Sequence, residues 1–154
     1  MKKHYGFIKH QTGAGFTLIE VLLSIAAIAV ISGLSIPIYQ SFQVKNDVDI
    51  AVTTLAQSLR RAQALSRASD GDTTWGLNIT SGSIILFKGT SFSVRDSSFD
   101  EVFSVPTSIS PSGLGEIVFT KLSGEPQTTG TISLHSTTGE TATVTVNGKG
   151  MVDY

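Results

Sequence analysis

Cysteine is absent from this 154-residue chain. That absence removes disulfide frameworks, thiolate metal sites, thiol nucleophiles and a lipid-modified cysteine together. Charge is scarce as well, at 15% of residues, against roughly a quarter in ordinary soluble domains. The 11 basic and 12 acidic side chains nearly cancel to a formal -1, so no global positive excess marks a nucleic-acid binder. There is room for one domain and not two. A positive mean hydropathy beside 15 glycines points to an apolar segment next to a strand-rich part.

No charged residue occurs between Val21 and Val44. Phe16 to Ile38 is 23 residues, which at about 1.5 Å of rise each reach roughly 34 Å, enough for a hydrocarbon core of about 30 Å. Lys2, Lys3 and Lys9 precede this stretch with no acid among them, so the positive-inside rule leaves the N-terminus in the cytoplasm and exports the chain beyond the span. A secretory signal peptide would place its small-residue cleavage site after the apolar run, whereas Ala14-Gly15 stands before it. A plain uncleaved anchor is the bland reading, and Glu20 does not fit it. A carboxylate in lipid costs on the order of 2–3 kcal/mol or more unless paired, and so needs a partner.

Gly15-Phe16-Thr17-Leu18-Ile19-Glu20-Val21-Leu22, after a short basic leader and before an apolar run, resembles the cleavage motif of type IV prepilins. The resemblance implies that a membrane prepilin peptidase cuts after Gly15 and that Phe16 is N-methylated. It also implies a partner for Glu20, the protonated terminal amine of a neighbouring subunit. Two charges that are each costly in lipid then offset one another. On this reading Glu20 sets register and is not a catalytic acid. Gly33 and Pro37 fall near the far end of the span, where proline removes a backbone donor and disfavours helix at the residue before it. A kink is expected there, although membrane helices also tolerate proline without one.

Beyond Lys45 the apolar residues Val44, Val48, Ala51, Leu55, Leu59, Ala62 and Leu65 recur at steps of three and four, the signature of an amphipathic helix. A long helix from about Phe16 to Ser69 is predicted, stopped by Ser69-Asp70-Gly71-Asp72. After Thr73 the period becomes two. Trp75–Thr80 with Ser83–Lys88, and Gly130–Ser136 with Glu140–Val146, read as hairpins, and Ile117 to Lys121 as a further strand. Short strands and loops are expected from Thr90 to Gly115. The predicted class is α+β, a pilin fold in which a long helix packs on antiparallel sheet or sandwich. The divisions are 1–15 leader, 16–39 transmembrane and filament-core helix, 40–70 amphipathic helix and 71–154 exported β-rich domain.

This second part is similar to the GspH/FimT-type minor pilins and pseudopilins. The likeness lies in Leu59-Arg60-Arg61-Ala62-Gln63-Ala64, Trp75-Gly76, Ile117-Val118-Phe119 before Gly124, and Gly130-Thr131-Ile132-Ser133-Leu134 to Val146-Asn147-Gly148-Lys149-Gly150. The lack of a cysteine pair departs from major pilins closed by a disulfide.

No catalytic constellation is expected. His4 and His10 would leave with the leader, His135 stands alone on a presumed wet strand face, and no nucleophile motif surrounds any serine. Asp70 and Asp72 read as a helix-terminating turn and not as a calcium loop. Arg60, Arg61 and Arg67 form the one basic cluster, read as a solvated face. Losing three lysines leaves eight basic against 12 acidic residues, a formal -4, which weighs against DNA as the main partner. The expectation is therefore a non-enzymatic subunit with no cofactor and no metal. Its partners would be prepilin peptidase, other pilin or pseudopilin subunits, the inner-membrane assembly platform and, before assembly, the lipid bilayer. Its machine would be a type IV pilus or a type II secretion pseudopilus. An uncleaved anchored enzyme or binding domain, and a DNA-uptake pilin, are the alternatives.

Overall fold

A computed structural model describes residues 15–154, with the side chains at 34–38, 40 and 41 outside the description. The leader expected over positions 1–15 thus lies, but for Gly15, outside the described residues. The chain divides into two compact units, Met1–Tyr39 and Gln40–Tyr154.

Helix α1, Leu18–Arg67, contributes residues to both units. Its start is set by Thr17, whose carbonyl accepts from Val21 N at 3.2 Å and whose Oγ1 accepts from Glu20 N at 3.3 Å. Thr17 is therefore the N-cap and Glu20 the third helical residue. Gly33 and Pro37 both lie within α1, and a Cβ built on Gly33 meets nothing within 4 Å. Among the described residues no helix is long and apolar enough to cross a membrane. The helix stops where Ser69, Gly71 and Asp72 take φ of 53°, 64° and 58°, a left-handed run that cannot continue the intrahelical ladder. The indole Nε1 of Trp75 donates to Asp70 O across this turn, at 3.0 Å.

In the second unit the stripe Val48, Ala51, Leu55, Leu59 and Ala62 is buried, with Val52 and Ala56 beside it. It packs on two four-stranded antiparallel sheets. Strands β1 (Trp75–Thr80), β2 (Ser83–Lys88), β3 (Asp96–Ser104) and β5 (Glu116–Phe119) form one, in the order β3-β2-β1-β5. Strands β4 (Ile109–Gly113), β6 (Gly130–Ser136), β7 (Thr141–Val146) and β8 (Val152–Asp153) form the other, in the order β4-β6-β7-β8. The first hairpin pairs Trp75 with Lys88 and Thr80 with Ser83. The last pairs Ile132 with Val144 and Leu134 with Ala142, so the apolar residues of β6 and β7 share the buried face.

The stretch from Thr90 to Gly115 differs from the expectation of short strands, because β3 runs for nine residues along the edge of its sheet. The turn Phe92–Val94 lies on the side of that sheet away from the helix. There Phe92 meets Phe87 edge-on at 5.6 Å, Arg95 stacks on Phe92 at 3.7 Å, and Glu116 Oε1 accepts from Phe92 N. Phe87 also explains Gly76, its cross-strand partner, where a Cβ would sit 2.6 Å from Phe87 Cζ and 2.8 Å from Ile117 O. The ring occupies the space a side chain would need.

Candidate functional site

Gly15, Phe16 and Thr17 precede the first helical residue. The peptide bond between Gly15 and Phe16 thus lies in non-helical backbone, and a Cβ on Gly15 meets nothing within 4 Å. A peptidase needs an accessible, unfolded backbone at the bond it cuts, and this segment has both properties. Phe16 is 83% exposed.

From Leu18 onward every large apolar side chain through Ile31 is exposed, on all sides of the helix. An apolar surface of that kind is stable in lipid or among other apolar helices. Glu20 is the one ionisable group in this run. Its backbone N–H is capped by Thr17 and its carbonyl accepts from Ser24 Oγ at 2.7 Å. Thr17-Leu18-Ile19-Glu20 is a capping-box spacing, legible in the sequence as Thr-x-x-Glu. The capping positions hold the acid in the first helical turn, where the helix dipole favours negative charge.

The expected basic face is not a continuous surface. Arg61 Nη2 pairs with Glu101 at 2.6 Å, Arg60 stacks on the Tyr154 ring at 5.5 Å, and Arg67 Nε donates to Ser123 O at 3.2 Å. The three cations hold β3, the C-terminus and the loop after β5, so they point to three different local partners and form no phosphate-binding row.

His135 is not alone. Ser112 Oγ lies 3.0 Å from Nε2 and Thr141 Oγ1 lies 3.2 Å from Nδ1, across β4, β6 and β7. This chain of contacts has a threonine where a catalytic relay carries a carboxylate, and it sits on an exposed strand face. Asp72 is held by Lys121 Nζ and is thereby kept below its ordinary carboxylate range, through the hydrogen bond first and charge attraction second. Among the described residues no group of three His, Cys, Asp or Glu could hold a metal ion.

Three features carry no sequence signal. Ser66 Oγ, fully buried, accepts from Trp75 N at 2.9 Å and reaches Phe119 O at 3.1 Å. The loop after β5 places Leu122 at φ 69°. A groove of about 260 Å³ runs between α1 and β3, lined by Thr54, Gln57, Ser58, Arg61 and Phe103.

No protein-family model matches the chain, and no curated protein matches it. Among solved structures, it is similar to the minor pseudopilin EpsH from the type 2 secretion system of Vibrio cholerae. The match has a TM-score of 0.52 and 16% sequence identity, and covers 70% of this chain and 94% of that one. The likeness is one of fold: the chain has an α+β, pilin-type architecture, a long helix with antiparallel sheets, shared with that minor pseudopilin.

Proposed function

We propose that the chain is a minor pilin or pseudopilin subunit, freed of its leader between Gly15 and Phe16 and assembled through its helix into a type IV pilus or type II secretion pseudopilus. The observation that carries this reading is the helix beginning at Leu18, which exposes apolar side chains on every side and bears a single carboxylate in its first turn, in a chain whose fold is that of a minor pseudopilin. Before assembly, Phe16 to Ile38 lies in the inner membrane with the N-terminus inside and the β-rich unit exported. Prepilin peptidase and the inner-membrane assembly platform act on it there. In the filament, neighbouring helices replace lipid around the apolar residues. Glu20 then meets the methylated amine of a neighbour's Phe16, and the pair offsets what either charge costs alone. Gly33 and Pro37 let the helix bend where the packing requires it. The role is structural, with no chemistry assigned to the β-rich unit.

Mass spectrometry of the chain from cells that contain prepilin peptidase tests the reading. A mature protein starting at N-methylated Phe16 is expected, and an intact leader overturns it in favour of an uncleaved anchored domain. Glu20→Val separates processing from assembly. Cleavage persists while recovery in sheared filaments falls, and unchanged recovery removes the charge-pairing argument.

A further inference from the structure

Between β7 and β8 the chain turns through Asn147-Gly148-Lys149-Gly150-Met151, and every backbone N–H of that turn but one has a partner. Asn147 N donates to Met151 O at 3.2 Å and Gly150 N to Asn147 O at 2.8 Å. The Asn147 side chain folds over the turn, where its Oδ1 accepts from Lys149 N at 2.9 Å and from Met151 N at 3.0 Å. Two donors on one atom identify it as the amide oxygen, because the amide nitrogen accepts none. The turn is also fixed from outside. Gln63 Nε2 donates to Lys149 O at 3.0 Å, and Gly150, at φ 74°, is buried with no room for a Cβ beside Gln63 and Gly124 O. The N–H of Gly148 donates to nothing among the described residues.

These are the parts of a reaction centre. The nucleophile that attacks an asparagine Cγ is the backbone nitrogen of the next residue, and a glycine there sets no Cβ beside the forming bond. As the bond forms, negative charge develops on Oδ1. Two N–H groups already point at that oxygen, within the range of about 2.7–3.1 Å at which oxyanion donors act. Asn147, Gly148 and Lys149 are exposed to water. The other two asparagines of the chain are built differently. Asn46 lies inside α1, where the following N–H is committed to the helical ladder. Asn78 lies in β1 and is followed by Ile79, whose N–H is taken by Gly115 O at 2.8 Å and whose branched Cβ crowds the approach.

We propose that Asn147 is a self-modifying residue, converted in the folded chain to aspartate and isoaspartate through a succinimide formed with Gly148. Gly148 N gives its proton to hydroxide and bonds to Cγ; Nδ2 takes a proton from water and leaves as ammonia, breaking its own bond to Cγ. Water then opens the ring at either carbonyl, and no atom is oxidised or reduced. Opening at Cγ gives aspartate, whose carboxylate keeps both N–H partners. Opening at the main-chain carbon gives isoaspartate, in which the backbone runs through the former side chain and is longer by a methylene. That added carbon takes the turn out of register, so the pairing of Val146 with Val152 and of Thr145 with Asp153 is lost. Strand β8 comes free, and with it Tyr154, on which Arg60 stacks. The site belongs to the β-rich unit and is independent of how the helix assembles.

The full chain in detergent is incubated at mildly alkaline pH in heavy-oxygen water, so that only conversion during the incubation carries label, and is then digested and read by mass spectrometry. Label at Asn147, with Asn46 and Asn78 unlabelled, is expected, and enzymatic methylation detects the isoaspartate. Conversion in the folded chain is expected to run about ten-fold faster than in urea, where the two donors to Oδ1 are lost. Gly148→Ala keeps the fold, since its Cβ meets nothing within 4 Å, and slows conversion about ten-fold. Unlabelled Asn147, conversion as fast in urea as in the folded chain, or an unchanged rate in Gly148→Ala overturns the proposal. Hydrogen exchange over β8 is expected to rise in the isoaspartate fraction alone, and equal exchange in the aspartate and isoaspartate fractions refutes release of the strand.

Discussion

Two serines three residues apart at the end of α1 should respond to substitution with opposite signs. Ser66 is fully buried and its Oγ satisfies Trp75 N at 2.9 Å while donating to Phe119 O at 3.1 Å. Trp75 and Phe119 are the facing residues at one end of the β1/β5 ladder, so one hydroxyl joins the helix to two strands. Ser66→Ala leaves the Trp75 N–H and the Phe119 carbonyl without this partner, in a place water does not reach. A buried polar group left unsatisfied costs about 1–3 kcal/mol, and with each of the two near the low end of that range about 2–3 kcal/mol is expected in total. For a unit of this size that is a fall in melting temperature of roughly 8–15 °C. Ser69 is the reverse case. Its Oγ is buried with no hydrogen-bond partner, and its φ is 53°. Ser69→Gly removes an orphaned hydroxyl and a left-handed penalty together, and should stabilise by about 1 kcal/mol after glycine's greater unfolded-state entropy is subtracted. Thermal unfolding followed by near-ultraviolet circular dichroism at the single tryptophan reads both. Equal and small effects from the two variants would refute the account of the helix-to-sheet junction.

Gly76→Ala drives a Cβ against Phe87 Cζ and the fixed Ile117 carbonyl, and should cost about 1–3 kcal/mol by overpacking, measured by chemical denaturation. The exposed Glu125–Lys149 pair, at 2.7 Å, lowers the Glu125 pKa from 4.5 and raises that of Lys149 from 10.5, each through the mutual hydrogen bond first. The carboxylate's contribution is present above pH 4.5 and is lost as pH falls through the lowered value. The ammonium's contribution is present below pH 10.5 and is lost as pH rises through the raised one. Glu125→Gln should therefore flatten the melting profile at both extremes and leave its salt dependence weaker. With each arginine of the helix engaged locally, Arg60→Ala/Arg61→Ala should leave DNA mobility shifts unchanged. A salt-dependent shift by the parent chain that the double variant abolishes would restore the DNA-uptake reading.

The elements written as strong periodicities were open to sequence reasoning. The stripe from Val48 to Ala62 repeats on one helical face, and Trp75–Thr80 with Ser83–Lys88 alternates about Ser81-Gly82; the fold contains both. Strand β3 is different, because an edge strand meets solvent along most of its length and Asp96-Ser97-Ser98 carries no alternation to detect. Ser66 is invisible for another reason. A serine in an amphipathic helix reads as surface, and only the arrival of two strands on its hydroxyl makes it a pin. The three arginines form a cluster in one dimension and have separate partners in three. At the N-terminal site, Gly15 and Phe16 are legible from the motif they resemble, while the cap that Thr17 places on Glu20 is legible from spacing alone. Leu122 carries no sequence signal, since its turn is held by hydrogen bonds from α1, which is remote in sequence.

Strand β3 has one side unpaired, and along it stand Asp96, Asp100 and Glu101 with no basic residue of its own. Asp96 is held below its ordinary pKa by Ser98, whose hydroxyl and amide both donate to it, so it stays ionised into mild acid. Asp100 and Glu101 are already paired with Arg95 and Arg61, so a second strand laid on this edge would meet charged side chains and ion pairs instead of an apolar seam. Copies of the chain brought together at high concentration are thereby kept from zipping into one continuous sheet through this edge.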